Sequence, residues 1–293
     1  MTATHLVSGP RRLAAGGSCR TELRGMAEHL GLSDAIFRYV QDGDTVALEG
    51  FTHLIPFAAG HEIIRQRKRN LTVSRMTPDL IYDQLIGAGC VRKLLFSWGG
   101  NPGVGSLYRF RDAVENGWPV PIELEEHSHA GLTNRYVAGA SGMPFTVMKG
   151  YLGTSLGEIA PHVRFVDCPF TGEPVAAVRA LNPDTGILHA QRADRAGNVQ
   201  VWGISGVFRE VVMASRQVVV TVEEVVDVLE RRPGDFVIPS MAVTAVCEVP
   251  GGAWPSYVQD HYERDNDWYR KWPEVSRDRD AFLAWLDESV MGA

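Results

Sequence analysis

The chain has 293 residues, of which 45% are hydrophobic and 22% charged, and its formal net charge is −6. This composition is ordinary for a globular protein with a sizeable core, and an acidic chain whose one short basic run covers 65–69 carries no electrostatic footprint for DNA or RNA. No apolar stretch reaches the roughly 18 residues of a membrane span, and the amino-terminus lacks the apolar segment of a secretory signal.

The cysteines and the two chain ends set further expectations. The four cysteines, at positions 19, 90, 168 and 247, form no CxxC pair, which predicts reduced thiols in a cytoplasmic protein without a disulfide framework or a metal site. Residues 1–25 combine Gly16-Gly17-Ser18 with scattered arginines, a pattern typical of a flexible leader. Residues 26–260 form the main domain of this prediction, and 261–293, rich in tryptophan, tyrosine and charge, form a peripheral helical tail.

The first half of the chain predicts alternating strands and helices. An apolar run over 45–48, closed by Gly50, is typical of a buried parallel strand, and Pro56 suits the first turn of the helix that follows. Ser33 predicts the N-cap of a helix over 34–40. Further strands are expected at 71–74, 93–98 and 120–124, and further helices at 79–87, 106–117 and 129–142. This alternation predicts an α/β fold with an open, mostly parallel sheet flanked by helices.

The second half predicts a more β-rich portion. Short runs at 163–166, 174–178 and 187–190, separated by proline and glycine turns, indicate strands. A strand over 198–203, a helix over 207–215 and a strand over 218–222 then restore the α/β alternation.

Candidate binding residues follow the predicted strands, because ligands of open α/β sheets bind at the carboxyl ends of the strands. After the strand over 45–48, a helix N-terminus favours a carboxylate or phosphate. After the strand over 93–98, a glycine-rich loop is open to two interpretations, a binding loop and a plain crossover. The substrate-binding candidates are Glu49, Gly50, Phe51, Thr52, Gly99, Gly100, Asn101 and Ser128.

Residues 123–129 place three carboxylates and two imidazoles at the end of another predicted strand. Such groups are the raw material of general acid–base chemistry, and Glu126 and His129 are the catalytic candidates. The alternative is a solvated loop in which Ser128 caps the next helix. His129 has no second histidine at i+4, so it does not form a metal-binding pair.

Several motifs, in order, carry a family resemblance. The acidic-glycine turn, apolar strand, Gly50-Phe51 and proline-led helix look like the amino-terminal signature of family I coenzyme A transferases. In the second half, 193–198, 222–225, 238–243 and 250–256 follow in the order of the transferase α subunits. The aromatic, acidic tail is most similar to that of the α subunit of glutaconate coenzyme A transferase.

The sequence departs from this family at two points. Glu49 stands where the family usually has the first of two glycines; we expect it to point into the acyl pocket and there to meet a cation or titrate with a raised pKa, the alternative being a solvent-facing turn residue. Glu115-Asn116-Gly117 resembles part of the family's Ser-Glu-Asn-Gly catalytic turn but lacks the serine. We interpret this triplet as a helix C-cap with Gly117 in the left-handed conformation.

The resemblance implies a coenzyme A transferase fold and a chain that works with a β subunit in an αβ or α2β2 assembly. A glutamate of that partner would attack an acyl-coenzyme A thioester, and coenzyme A would then pass to a carboxylic acid. No catalytic glutamate is expected in this chain, and no cofactor besides the coenzyme A thioester that serves as substrate. A hydrolase or carbon–carbon bond-cleaving enzyme on the same scaffold, and a non-catalytic assembly partner, remain alternatives.

Overall fold

Runs of valine, isoleucine and leucine form one ten-stranded sheet in the computed structural model, which describes residues 26–292. The predicted leader, 1–25, lies outside the described residues. The strands of this large sheet are β1 (Glu28–His29), β2 (Thr45–Leu48), β3 (Leu71–Ser74), β4 (Val91–Phe96), β5 (Glu123–Glu126), β9 (Thr185–Asp194), β10 (Val199–Val201), β11 (Gln217–Val226), β12 (Phe236–Ile238) and β13 (Ala245–Glu248). A small second sheet contains β6 (Phe145–Met148), β7 (Val163–Asp167) and β8 (Pro174–Arg179).

Helices connect these strands and cover the large sheet. They are α1 (Leu32–Tyr39), α2 (Phe57–Arg65), α3 (Leu80–Gly87), α4 (Tyr108–Glu115), α5 (His129–Ala140), α6 (Ser155–Ile159), α7 (Phe208–Ala214), α8 (Asn266–Ser276) and α9 (Arg279–Leu286). Two short irregular helices, Ser240–Ala242 and Asp287–Met291, complete the described secondary structure. In residues 26–292, no helix has both the length and the apolar character that crossing a membrane requires.

The large sheet has the order β1-β13-β11-β9-β2-β3-β4-β5, and all neighbours along this path are parallel. β10 and β12 extend one end of β9 in antiparallel pairing. The small sheet, in the order β6-β8-β7, is antiparallel. The predicted α/β class, with a mostly parallel sheet and a more β-rich second portion, is therefore confirmed.

Two apolar layers sandwich the large sheet. Leu48 and Ile187 face one layer, whereas the next residues on the opposite face of the same strands, Ala47 and Leu188, face the other. This alternation follows from the two-residue period of a strand, and burial on both faces explains why these strands are apolar almost throughout.

The carboxy-terminal tail belongs to the first of these layers. Tyr269, Trp272 and Phe282 are fully buried in it, and the indole of Trp272 donates a hydrogen bond of 2.8 Å to Asp83 on α3. The sequence predicts a helical but peripheral tail; the helices are present, and their aromatic side chains are core residues. Their apolar area explains the difference, since burying such rings stabilises the fold.

Two local predictions are wrong. The strand expected over 120–124 begins only at Glu123, because Pro119 and Pro121 have no N–H to donate to the ladder with β4. The first helix begins at Leu32 with Gly31 as its N-cap, and Ser33 makes no capping hydrogen bond.

Candidate active site at the carboxyl edge of the sheet

The strand order reverses between β2 and β9. From β2 the chain continues outward through β3, β4 and β5, whereas β9, β11 and β13 occupy the other side. The carboxyl edge at such a reversal is the place where open α/β sheets form ligand crevices. The turn after β2, which carries four of the predicted binding residues, lies at this point.

This turn has a strained backbone. Thr52 and Leu54 have φ of 59° and 57°, the left-handed region that costs non-glycine residues about 1–3 kcal/mol each. Gly50 is required for packing, since a Cβ there would lie 2.7 Å from the carbonyl oxygen of Leu54. Thr52 is exposed and Phe51 is half-buried, so the turn presents its tip to the outside. Backbone strain of this kind clusters at functional sites, and here it lies at the carboxyl edge of the sheet.

Buried contacts hold the turn in this conformation. Arg75, which follows β3 and is 1% exposed, donates hydrogen bonds of 3.0 and 2.7 Å to the carbonyl oxygen of Gly50 and pairs with Asp79 at 2.7 Å. On the other side, the hydroxyl of Ser256 donates to the Thr52 carbonyl at 3.1 Å. The turn is therefore rigid before any ligand binds.

Glu49 lies beneath the turn and is only 2% exposed. Its Oε1 accepts a hydrogen bond of 3.1 Å from the backbone N–H of Met76 and lies 3.4 Å from the hydroxyl of Tyr136 on α5. Burial raises the pKa of Glu49 to about 8, although the charge of Arg75 and the Met76 N–H oppose the shift. The solvent-facing alternative is wrong, and the raised pKa expected for a buried carboxyl is present.

A second buried network lies across the reversal, on β9 and β11. His189 bonds through Nδ1 to the Thr221 hydroxyl at 2.8 Å and through Nε2 to Glu223 at 2.7 Å. Glu223 also accepts from the Tyr262 hydroxyl and from the Gly251 N–H, both at 2.7 Å. These bonds tie segment 250–262 to the sheet, and that segment in turn braces the strained turn.

The buried residues of the glycine-rich loop after β4 bond to other segments of the chain. The N–H of Gly100 donates to the Pro78 carbonyl at 3.1 Å, and the amide of Asn101 donates to the Tyr269 carbonyl at 2.8 Å. Both residues are buried, whereas Gly99 is half-buried and Trp98 is 45% exposed. The loop thus anchors the tail and presents only its first residues at the carboxyl edge.

The acid–base candidates lie at the end of β5 and the start of α5, next to two buried side chains of the same type. Glu126 and His129 are exposed, whereas Glu125 and His127 are buried and bonded to each other at 3.0 Å. Arg135 and Lys93 pair with the same Glu125 carboxylate. Burial works against ionisation of Glu125, but the bond from His127 and the two cations outweigh it and hold its pKa well below the ordinary value. Glu125 and His127 are buried at alternate positions on either side of exposed Glu126, whereas His129 is exposed because it lies in the first turn of α5.

Two predicted helix ends are confirmed. The Ser128 hydroxyl accepts the N–H of Gly131 at 3.0 Å and caps α5. Glu115 ends α4, Asn116 is its C-cap, and Gly117 has φ of 68°. Because α4 returns from the carboxyl end of β4 toward the start of β5, this triplet lies at the edge of the sheet opposite the strained turn. It is a helix terminus and takes no part in the candidate site.

The described part of the chain thus offers a preorganised turn at the carboxyl edge of the sheet, with the neighbouring carboxyl group buried beneath it. The carboxyl group beside the turn, Glu49, is sealed and protonated at neutral pH, and no group of three His, Cys, Asp or Glu within residues 26–292 is arranged to hold a metal ion. Sequence reasoning missed Arg75 and Asp79, whose role depends on a contact made 25 residues away along the chain.

Comparison with known proteins agrees with this architecture. The model of the coenzyme A transferase family matches residues 30–249. The A-type chain of 3-oxoadipate coenzyme A-transferase from Pseudomonas knackmussii is 59% identical over 267 residues, which are 91% of this chain and 95% of that protein. The A-type chain of glutaconate coenzyme A-transferase from Acidaminococcus fermentans is 34% identical over 90% of this chain and 88% of its own length.

The fold agrees equally well with a solved structure. The crystal structure of glutaconate coenzyme A-transferase from Acidaminococcus fermentans superposes with a TM-score of 0.85 at 32% identity, covering 91% of this chain and 90% of that one. Identity at this level over nearly the whole chain goes beyond a shared fold, and the match to the family model covers the turn after β2 together with Arg75, His189 and Glu223. The chain belongs to the coenzyme A transferase family.

Proposed function

We propose that this protein is the α subunit of a two-chain coenzyme A transferase that exchanges coenzyme A between carboxylic acids. The observation that carries the proposal is the 59% identity to the A-type chain of such a transferase, over 91% of the present chain. The geometry agrees, because the candidate site has a rigid, strained turn at a topological switch point and a sealed carboxyl group where a nucleophile would have to be free.

The reaction needs a carboxylate from another chain. In the proposed sequence, the thioester carbonyl is attacked by a glutamate of the β subunit, and the C–S bond breaks to give an acyl-glutamyl anhydride and coenzyme A thiolate. The thiolate attacks the glutamyl carbonyl, which releases the first acid and leaves a glutamyl thioester. The acceptor carboxylate then attacks the glutamyl thioester, which releases coenzyme A thiolate and forms a second anhydride. The thiolate attacks the acceptor's carbonyl in this anhydride and gives the new thioester and the free glutamate, so no atom is gained or lost.

In this proposal the present chain forms part of the wall of the substrate site and orients the thioester. The tip of the strained turn, Phe51 and Thr52, lies at the carboxyl edge of the sheet, and Arg75 holds the turn from beneath without reaching the surface. A turn fixed before binding orients a thioester at low entropic cost. Glu49 acts through this turn and not on the substrate directly, and we propose that it tunes the choice of acyl group.

We further propose that the acids exchanged include dicarboxylates. The two relatives described above are named for 3-oxoadipate and for glutaconate, both of which have two carboxyl groups. The sheet edge also has half-exposed tryptophans, Trp98 and Trp254, which offer apolar area to a partner chain or an acyl chain. Assembly as αβ or α2β2 with a β subunit in the cytoplasm would close this edge.

The test is an acyl-exchange assay on the chain purified together with its β subunit. We would offer a panel of acyl-coenzyme A donors to 3-oxoadipate, glutaconate, acetate and butyrate. We expect transfer to the dicarboxylates to exceed transfer to the monocarboxylates at least tenfold in kcat/KM. Release of free coenzyme A in the absence of any acceptor acid, without exchange in its presence, would instead identify a hydrolase.

A further inference from the structure

The small sheet carries a pocket that the proposed transfer reaction does not use. Its volume is about 390 Å³, it lies over β6, β7 and β8, and none of its lining residues belongs to the turn after β2. Its apolar lining comes from Pro144, Phe145, Pro161 and Ala177. Phe145 is 49% exposed, so one face of its ring is available to a ligand.

Two arginines line the same pocket together with His162. Nη1 of Arg164 donates to the carbonyls of Pro161 at 3.1 Å and Val163 at 2.7 Å, which fixes its guanidinium in place. Arg179 lies on the neighbouring strand β8 and is exposed. Within residues 26–292, neither guanidinium is within ion-pair distance of a carboxylate, and no acidic residue lines the pocket.

The wall behind His162 carries no uncompensated negative charge. His162 Nε2 lies 3.3 Å from Oε2 of Glu125, a buried carboxylate. That carboxylate is already paired with Lys93 at 2.7 Å and with Arg135. Lys93 and Arg135 therefore compensate the charge of the Glu125 carboxylate. Arg164 and Arg179 place positive charge at the mouth of the pocket, on a chain whose net charge is −6.

We propose that this pocket binds a small dianion attached to an apolar body, such as a phosphate monoester or a dicarboxylate. Guanidinium groups match the planar, two-oxygen geometry of both anions, and exposed, unpaired arginines lose little when they exchange water for an anion. The Phe145 ring and the two prolines provide the contact for the apolar part. Such binding would be independent of the proposed transferase activity.

Isothermal titration calorimetry of the full chain tests this inference, with adenosine 5′-monophosphate and adipate as separate probes. We expect saturable binding of one equivalent of at least one probe, weakened by added salt. The double variant Arg164→Gln/Arg179→Gln should weaken binding at least about tenfold, since each charge-assisted contact contributes on that scale. The matched control is Arg270→Gln, an exposed arginine on α8.

A second variant guards against misfolding of the first. Ala177→Glu places a carboxylate in the floor of the pocket and should also abolish binding, and circular dichroism would establish that both variants fold. Phosphate-only or dicarboxylate-only binding identifies which anion the pocket takes. Absence of saturable binding with both probes, or unchanged affinity in the double variant, would overturn the proposal. So would failure of the double variant to assemble with the β subunit, because the arginines would then belong to an interface.

Discussion

Glu49 combines an unusual position with an unusual environment. The family resemblance leads one to expect glycine there, yet the carboxyl group is buried between the sheet and α5, beside Tyr136, with its pKa raised to about 8. Between pH 4.5 and 8 the unfolded chain ionises this group while the folded chain keeps its proton. Stability is therefore full at low pH and falls as pH rises through this window.

Glu49→Gln should flatten this pH dependence. The amide keeps the size and polarity of the protonated acid but does not ionise, so the variant gains stability relative to the wild type as pH rises from 5 to 8, by at most about 4 kcal/mol. Urea unfolding at several pH values measures the difference. Glu126→Gln, at an exposed carboxylate, is the matched control and should retain the wild-type slope. An identical slope in Glu49→Gln would show that Glu49 is ionised in the folded protein.

Gly50 and Gly99 allow a matched comparison of the two loops at the carboxyl edge. Alanine at 50 brings its Cβ to 2.7 Å from a backbone oxygen, whereas at 99 the nearest atom is the Phe96 ring at 3.8 Å. We expect Gly50→Ala to cost about 1–3 kcal/mol of stability and to lower transferase activity in the complex, and Gly99→Ala to be nearly neutral. Equal losses of stability and activity in the two variants would show that the strained turn has no special role in the site.

Strand alternation and long-range contact explain which site residues the sequence could predict. The turn after β2 was predictable because glycine and a following proline end an apolar run. The exposure of Glu126 between buried Glu125 and His127 was available from the two-residue period, whereas the exposure of His129 follows from its place in the first turn of α5. The clamp by Arg75 was not, because it depends on how β2 and β3 pair.

At the level of elements, the tail helices are where sequence reasoning fell short. A charged, aromatic carboxy-terminus was expected to lie at the periphery, but pattern alone does not show which apolar surface α8 and α9 cover. The structure places them against α3 and α4, where they complete one of the two layers on the sheet. The helices themselves were predictable; their packing was not.

Trp272→Ala tests the role of the tail in the core. The side chain is fully buried and its indole N–H bonds to Oδ2 of Asp83, so removing it leaves a cavity and takes the hydrogen-bond partner of that oxygen away. We expect a loss of about 3–5 kcal/mol in the free energy of unfolding. Lys271→Ala, one residue away and exposed, should change it by less than about 0.5 kcal/mol. A similarly small change in the free energy of unfolding of Trp272→Ala would show that the tail is peripheral to the core.

The end of α4 carries a separate prediction. Glu115 is an exposed residue whose carboxylate pairs with Arg111 on its own helix, at the sheet edge opposite the candidate site. Glu115→Ala should leave exchange activity of the complex within about twofold of wild type, because surface pairs of this kind contribute little. A large loss of activity in an intact complex would place the catalytic glutamate in this chain after all.

For the whole molecule, the fold was predictable because many weak signals agree. Strand-helix alternation, glycine turns and the order of family motifs each point to one mostly parallel sheet, and agreement across levels is what distinguishes a fold from a local pattern. The small sheet and its cationic pocket emerge only in three dimensions, since Arg164, Arg179 and His162 come together through pairing of β7 with β8.

We propose that this chain forms a transferase site only with a partner that supplies the nucleophile. The most direct measurement is acyl exchange by the isolated chain, by the β subunit on its own and by the two together. We predict exchange activity only in the mixture, where light scattering should detect a complex of the two chains. We expect the interface of this complex to bury about 2,000 Å² or more. Exchange by the isolated chain, or a mixture that remains monomeric and active, would contradict the account.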